Sequence, residues 1–260
     1  MHDTSRSQLK SLLELHHSRT RRELALVLVP GFKCLDELLL SRWPLREVYL
    51  TDSAAERLPA PVLRRLQRDD LLWRIHESDA VKLAAQPAPE GIIALAECPA
   101  ELESRDALMA AQGPQLLLDG LADPGNLGSV IRTAAWFGIR RVGLVGACAD
   151  VGNTKVLRAS MGAVFRLSHA VRLDEEDLAD LVGSHRLIGL DGAASTSLDQ
   201  FHFQPGDVLV MGSESHGLGD SRPHLGLSLA IPGAGSVESL NVGHAFAVAA
   251  WEQFRQGSRD

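Results

Sequence analysis

Short apolar runs that end in glycine-containing or polar loops recur along the second half of the chain, and stretches with helical apolar spacing follow several of these loops. The last helical stretch begins at Val242 and continues with apolar residues at Ala245, Phe246 and Ala249. Strands that alternate with helices in this way indicate an α/β fold with a parallel sheet. The predicted strands are QLLLDGL (115–121), RRVGLVG (140–146), RLIGLDG (186–192), DVLVMGSE (207–214) and LSLAIPG (227–233).

The first hundred residues show a less regular pattern of the same kind. A basic helical stretch around 8–20 precedes the strand-like run ELALVLV (23–29), and a second buried-strand candidate lies at 91–97. This alternation predicts a small parallel or mixed sheet. The predicted domains are an N-terminal α/β domain at 1–98, a linker at 99–113 and a second α/β domain at 114–260.

Composition narrows the class of protein. The chain has 260 residues, of which 45% are hydrophobic and 23% are charged, as is usual for globular proteins. No apolar run approaches the roughly 20 residues that span a bilayer, and the first residues lack the apolar segment of a signal peptide, so we expect a cytoplasmic protein that does not enter membranes. The three cysteines, Cys34, Cys98 and Cys148, lack C-x-x-C spacing, and we expect buried thiols rather than disulfides or a metal site.

Charge is distributed unevenly along the chain. The net charge is −7, yet residues 1–75 contain 13 Lys and Arg against 10 Asp and Glu. The basic residues cluster at SRTRR (18–22) and LRRLQR (63–68), and such clusters neutralise phosphates in nucleic-acid-binding proteins. A solvated helix face with arginine stems over apolar surface explains the same clusters. Both interpretations stay open at the level of the sequence.

Polar residues and glycines follow the predicted strands of the second half. In parallel α/β sheets ligands bind at the carboxyl ends of the strands, so these loops are the candidate site. The stretch around Gly125 and Gly128 lacks the G-x-G-x-x-G pattern of dinucleotide folds. GSESHG suggests a serine hydrolase with Ser215 as the nucleophile, but Ser213 stands where the first glycine of G-x-S-x-G belongs. We therefore treat the hydrolase as a weak alternative.

Three longer motifs occur in order towards the end of the chain. They are NLGSVIRTAAWFG (126–138), VMGSESHGL (210–218) and AIPGAGSVESLNV (230–242), and together they resemble the three motifs of the SpoU/TrmH class of SPOUT RNA methyltransferases. The resemblance covers the chain from about residue 115 to its end. The first hundred residues resemble, less specifically, the ribosomal-protein-like RNA-binding domain that often precedes this catalytic domain.

The resemblance implies a fold, a cofactor and a substrate. The expected second domain is a parallel SPOUT sheet whose C-terminal segment forms a trefoil knot, binds S-adenosylmethionine and works as a homodimer. The expected reaction is methylation of a ribose 2′-hydroxyl in structured RNA, with ribosomal RNA favoured over transfer RNA. The alternative is a non-catalytic RNA-binding or assembly factor on the same fold. No metal is expected.

The resemblance also assigns residues. By the motif match, the polar active-site set is Asn126, Arg132, Glu214, Ser239 and Asn241, and the cofactor site comprises Met211, Gly212, Gly217, Ile231 and Leu240. Either Ser239 or Asn241 is expected to cap the last helix, while the other faces the cofactor or the ribose.

This chain departs from the family pattern at a few positions. Gly233 and Gly243 replace a commonly found Met and Ser, and Pro30-Gly31 replaces Glu-Gly. Gly243 early in the helix should cost roughly 0.5–1 kcal/mol relative to Ala.

Overall fold

A computed structural model describes residues 1–110, 112–113, 115–213 and 217–257. The chain divides into two compact units. The first unit comprises Met1–Ala100 together with Asp150–Phe165, and the second comprises Glu101–Ala149 together with Arg166–Asp260. The units therefore do not follow the order of the chain, because a segment from the second half belongs to the first unit.

The first hundred residues form a five-stranded sheet with six helices. Helix α1 begins where the side chains of Ser5 and Gln8 each accept a bond from the other residue's backbone amide. The elements are β1 (His2–Asp3), α1 (Arg6–Glu14), α2 (Ser18–Leu24), β2 (Leu26–Pro30), α3 (Phe32–Leu39), β3 (Leu45–Leu50), α4 (Asp52–Arg57), α5 (Ala60–Arg68), β4 (Leu72–Arg74), α6 (Glu77–Ala84) and β5 (Ile92–Glu97).

The sheet of the first unit is mixed. Its strand order is β1-β4-β3-β5-β2, and β5 runs antiparallel to both of its neighbours while the other pairs are parallel. Leu28, Tyr49 and Ile93 lie almost fully buried in one core, against Leu12 of α1 and Leu83 of α6. The helices are thus held by their apolar faces against the sheet.

The rest of the chain alternates strands with helices. Its elements, besides short 3₁₀ turns, are α7 (Arg105–Ala110), β6 (Leu116–Asp119), α8 (Pro124–Trp136), β7 (Arg141–Val145), α9 (Thr154–Ala159), β8 (His169–Leu173), α10 (Glu175–Val182), β9 (Leu187–Leu190), β10 (Thr196–Ser197), β11 (Val208–Met211), β12 (Leu227–Ala230) and α11 (Val242–Gly257).

Seven of these strands form the sheet of the second unit. All of its pairings are parallel, and the strand order is β10-β12-β9-β11-β6-β7-β8. The central strands β6 and β11 are buried along their whole length, which explains their continuous apolar sequences. The predicted parallel α/β fold is confirmed, although β8 and the two-residue β10 were not predicted.

From Glu101 onward, the predicted linker at 99–113 belongs to the second unit. It contains helix α7, and Leu108 of this helix is completely buried in a core with Leu178 and Leu181 of α10. Ala107, Met109 and Ala110 flank Leu108, so the sequence here has the apolar residues of a packed helix rather than of a solvated linker.

The segment Asp150–Phe165 joins the first unit through buried polar contacts. The guanidinium of Arg21 is buried and donates to Asp150 Oδ2 at 2.7 and 3.2 Å, and to the carbonyls of Leu15 and His16. Arg21 therefore serves the structure of its own unit and is not part of a solvated phosphate-binding face.

None of the three cysteines forms a disulfide. Cys34 and Cys148 are buried, and Cys98 is half-buried. Burial raises the pKa of the Cys34 thiol to about 12, and it also raises the pKa of the Cys148 thiol. Both thiols are therefore protonated and unreactive at neutral pH. Across the described part of the chain, no helix combines the length and apolarity needed to cross a membrane.

We predict that Arg21→Ala destabilises the first unit strongly. The substitution removes the cationic partner of the Asp150 carboxylate and the donor to two backbone carbonyls. Removing one partner of a buried ion pair costs about 3 kcal/mol or more. Urea unfolding measures the loss. Arg19→Ala is the matched control, because Arg19 lies on the same helix and pairs with Glu23 in solvent. Equal shifts of the unfolding midpoint for the two variants would contradict the structural role of Arg21.

Candidate active site

Four loops of the second unit meet at one edge of its sheet. They follow β6, β9, β11 and β12, which are neighbours and run parallel, so their carboxyl ends lie side by side. The loops contact one another directly. A Cβ atom placed on Gly120 would lie 3.8 Å from Cβ of Ser213, and Arg222 donates to Asp191 Oδ2 at 3.0 Å.

The loop after β6 turns directly into helix α8. Asp123 caps this helix by accepting the backbone N–H of Asn126 at 2.8 Å, and Pro124 occupies the first helical position, which suits proline. The sequence pattern predicts this helix only over 129–137, after a loop at 122–128, whereas the helix begins five residues earlier, at Pro124. Asn126 lies in its first turn, and Arg132 lies further along the same helix with its side chain exposed.

Asn241 connects the first and third motifs. Its side-chain nitrogen donates to Asn126 Oδ1 at 3.0 Å, and its Oδ1 accepts the backbone N–H of Gly243 at 3.0 Å. The second bond caps helix α11, so one side chain both starts the helix and reaches the loop after β6. Ser239 is exposed in the preceding loop. Of the two residues proposed as the cap, Asn241 therefore takes that role.

The loop after β11 folds back on itself tightly. Ser213 and Gly217 exchange two backbone hydrogen bonds of 2.9 Å, and a Cβ on Gly212 would lie 2.3 Å from the backbone of Gly217. Only glycine fits at position 212. Glu214 and Ser215 lie outside the described residues.

The predicted cofactor residues differ in exposure. Leu240 is 47% exposed and Ile231 is half-buried, both in the loop after β12. Gly217 is exposed with φ +63°, and a side chain there would meet nothing within 4 Å. Apolar side chains beside open backbone suit an adenine ring, which needs apolar walls and a few backbone bonds. Met211, predicted as an extra wall, is buried at the end of β11.

Ser129 was not predicted as a site residue. A Cβ atom on Gly243 would lie 3.0 Å from Ser129 Oγ and 3.2 Å from Asn241 Oδ1, so the Ser129 hydroxyl stands in the space beside Gly243. Ser129 follows Asn126 by three residues and precedes Arg132 by three, a spacing that places all three on neighbouring turns of one helix face. This three-residue spacing is the feature of the sequence from which Ser129 could have been predicted. Position 243 lacks the serine hydroxyl of the family pattern, and the Ser129 hydroxyl on α8 lies beside it instead.

The second unit is thus a parallel α/β domain with a candidate site at the carboxyl edge of its sheet. The sequence profile of the SpoU rRNA Methylase family matches residues 114–251, and the profile of the MRM3-like substrate binding domain matches residues 6–94. The chain belongs to the SpoU rRNA methylase family.

Individual relatives match most of the chain. A 23S rRNA (uridine(2479)-2′-O)-methyltransferase of Streptomyces viridochromogenes is 29% identical over 96% of this chain and 88% of its own. The 23S rRNA (guanosine-2′-O-)-methyltransferase RlmB of Pasteurella multocida is 31% identical over 81% and 89%. The crystal structure of the SpoU methyltransferase AviRb from Streptomyces viridochromogenes, in complex with AdoMet, superposes with a TM-score of 0.81 at 26% identity, covering 98% of this chain and 99% of that one.

These matches confirm the family predicted from the three motifs. The protein is an S-adenosylmethionine-dependent RNA methyltransferase. Within the residues that the structure describes, no group of three or more His, Cys, Asp or Glu side chains is arranged to hold a metal ion.

We predict that Ser129 and Gly243 are energetically coupled. Gly243→Ala improves helix propensity but pushes its methyl group towards Ser129 Oγ, so alone it should change stability little. Combined with Ser129→Ala, which removes that oxygen, it should stabilise the protein by about 0.5–1 kcal/mol. A double-mutant cycle measured by urea unfolding checks this. Strictly additive effects of the two substitutions would show that the hydroxyl does not occupy the space.

Proposed function

We propose that the protein methylates a ribose 2′-hydroxyl in ribosomal RNA and that the loops after β6, β11 and β12 form the site. The observation that carries the proposal is the 3.0 Å bond between Asn126 and Asn241, which joins the first and third motifs at the edge where ligands bind in parallel sheets. Ribosomal RNA is favoured over transfer RNA because residues 6–94 match a substrate-binding domain and several relatives are named as 23S rRNA methyltransferases.

The loops after β11 and β12 hold the cofactor. S-adenosylmethionine supplies, when bound, an activated methyl group on a positively charged sulfur. Ile231 and Leu240 provide apolar walls, and Gly212 and Gly217 let the backbone approach closely. The exposure of Leu240 supports this role, because a half-exposed leucine within a polar loop gains by being covered with a flat apolar group.

The polar residues orient the RNA. Arg132 presents several donors in a fixed plane, which suits a phosphate next to the target ribose. It stays protonated, so it stabilises charge and orients the nucleotide rather than removing the proton. Asn126 and Asn241 fix each other's amide planes and can hold the ribose hydroxyls in place. In this proposal Ser239 adds a further hydroxyl, and Glu214 accepts bonds from Asn126 or Arg132.

The alternative of a non-catalytic RNA-binding factor lacks comparable support. It requires neither the Asn126–Asn241 bond nor an exposed arginine on the same helix, and both are present. Methyl incorporation into RNA separates the two functions directly.

The domain plan belongs to the same proposal. We assign RNA recognition to the domain at 1–98 and catalysis to 114–260, with the trefoil knot in the C-terminal segment. The strand order supports the knot, since β11 and β12 lie on opposite sides of β9 and the connection at 212–226 must pass from one side to the other.

A face of exposed aromatic side chains supports a homodimer. Trp136 on α8 is 83% exposed, and Trp251 and Phe254 on α11 are about half exposed. The ring of Phe137 lies 5.5 Å from that of Phe254 and 6.3 Å from that of Trp251, and these three rings form one patch. A contiguous aromatic patch of this kind marks a protein interface, and a second copy of the chain covers it through two-fold symmetry.

We predict that Trp251→Glu converts the dimer to a monomer. A carboxylate in the middle of the aromatic patch would be buried without a partner in the dimer. Light scattering after size-exclusion chromatography measures the mass. Leu40→Glu, at an exposed leucine of the first unit, is the control and should leave the dimer intact. A wild-type protein that is monomeric at all concentrations would exclude the homodimer.

We predict that Leu240→Arg abolishes cofactor binding. The bulky charged side chain fills the apolar slot, and titration calorimetry with S-adenosylmethionine should show binding by the wild type and none by Leu240→Arg. Val182→Arg is the matched control, because Val182 is also 47% exposed and lies on α10. Binding by Leu240→Arg with wild-type affinity would remove Leu240 from the site, and a wild type that binds no cofactor would defeat the proposed function.

Cofactor binding and methyl transfer together test the role of Arg132. We predict that Arg132→Lys binds S-adenosylmethionine normally but transfers methyl groups to ribosomal RNA about 100-fold more slowly at saturating RNA, because lysine lacks the planar donor pair. Incorporation of labelled methyl groups measures the rate. Unchanged turnover would rule out the orienting role.

A further inference from the structure

Asp119, the last residue of β6, is a buried carboxylate without an assigned role. Its side chain is only 3% exposed, in a unit where most carboxylates face solvent. Oδ2 accepts two bonds from Ser221, one from the backbone N–H at 2.9 Å and one from the hydroxyl at 2.6 Å. Ser221 is itself completely buried. Two short bonds to a buried carboxylate make a strong and specific connection, since bonds to charged groups exceed those between neutral ones.

Ser221 stands at the returning end of the loop after β11. This loop leaves the sheet at Gly212, turns back through the Ser213–Gly217 backbone bridge, and reaches Ser221 after the buried Leu218. The bridge fixes the narrow turn, but it does not fix where the loop lies over the sheet. The bonds between Ser221 and Asp119 fix that position, because they attach the far end of the loop to β6.

The end of β6 holds both limbs of this loop. Gly120 lies against Ser213 on the outgoing limb, and Asp119 binds Ser221 on the returning limb. The backbone closes tightly around the carboxylate, for a Cβ on Gly219 would lie 3.3 Å from Asp119 Oδ1. Directly after Gly120 the same chain continues into the loop that carries Asn126. One strand end therefore sets the spacing between the first-motif loop and the second-motif loop.

We propose that Asp119 is a positioning residue for cofactor binding, which acts by holding the described limbs of the loop after β11, residues 212–213 and 217–221, at a fixed distance from the loop 120–126. The inference rests on the proposed function, because it assigns Asp119 to the binding of S-adenosylmethionine by that loop. Asp119 itself does not contact the cofactor in this account. Loss of the Asp119 carboxylate should lower the affinity for the cofactor, while the residues that orient RNA keep their own geometry.

A purely structural role is the competing explanation, and the chain offers a matched control for it. Asp207 precedes β11 at the opposite end of the same sheet, is 7% exposed, and accepts bonds from Arg186 and from the backbone N–H of Gln204. Removing either carboxylate should lower the thermal midpoint. Only Asp119 should also change the affinity for S-adenosylmethionine.

The experiment compares Asp119→Ala, Asp119→Asn, Ser221→Ala and Asp207→Ala in the full-length protein. Calorimetry gives the Kd for S-adenosylmethionine, steady-state methyl transfer gives KM and kcat, and thermal unfolding gives the midpoint. Asp119→Ala should raise Kd and the cofactor KM about tenfold, as expected for losing a charged hydrogen-bond acceptor, with kcat at saturating cofactor nearly unchanged. Asp119→Asn keeps an acceptor oxygen and should show a smaller rise.

Ser221→Ala keeps the proposal falsifiable if Asp119→Ala fails to fold. It deletes one hydroxyl and should still raise Kd several-fold, since it removes the shorter of the two bonds. A wild-type Kd for Ser221→Ala and Asp119→Asn, with a fall in midpoint like that of Asp207→Ala, would overturn the inference and leave the proposed function standing. A wild type that binds no cofactor would overturn the proposed function and the inference with it.

Discussion

The common direction of β6, β9, β11 and β12 is the constraint on which the rest of the site depends. Because all four strands are parallel neighbours, every loop that follows them emerges at one edge. Residues 115 positions apart, Asn126 and Asn241, meet there without any specific long-range guidance beyond the sheet itself. The buried central strands provide a rigid base, so that the loops are free to carry polar chemistry.

Asn241 shows how closely this chemistry is tied to local structure. The side chain that satisfies the first turn of α11 also holds Asn126, so the start of a helix and the shape of the site share one amide group. Ser129 and Gly243 extend the same relation, because the hydroxyl on one helix fills space left by the absent side chain on the other. The helices α8 and α11 are thereby matched to each other at the point where the substrate is expected.

Much of the second unit follows from the apolar pattern, because its central strands are buried on both faces and therefore continuous in sequence. The pattern failed where charge interrupts it, as in β8, which contains Arg172, and where glycines resemble a loop, as in the first turn of α8. The predicted strand ends indicated which loops form the candidate site, but the individual site residues came from the three motifs. No pattern in the chain indicates the Arg21–Asp150 pair, whose partners are 129 positions apart, or the bonds between Asp119 and Ser221.

The placement of residues 150–165 in the first unit has a consequence for synthesis on the ribosome. Chains are made from the amino end at about 5–20 residues per second, and domains usually fold as soon as they have emerged. Here the first hundred residues emerge without Asp150 to pair with Arg21 and without Leu157, whose carbonyl accepts the Cys34 thiol. The first unit therefore cannot complete its fold until β6 and β7 of the second sheet, and then residues 150–165, have been translated. Its final folding step is set by the progress of the ribosome through the other unit.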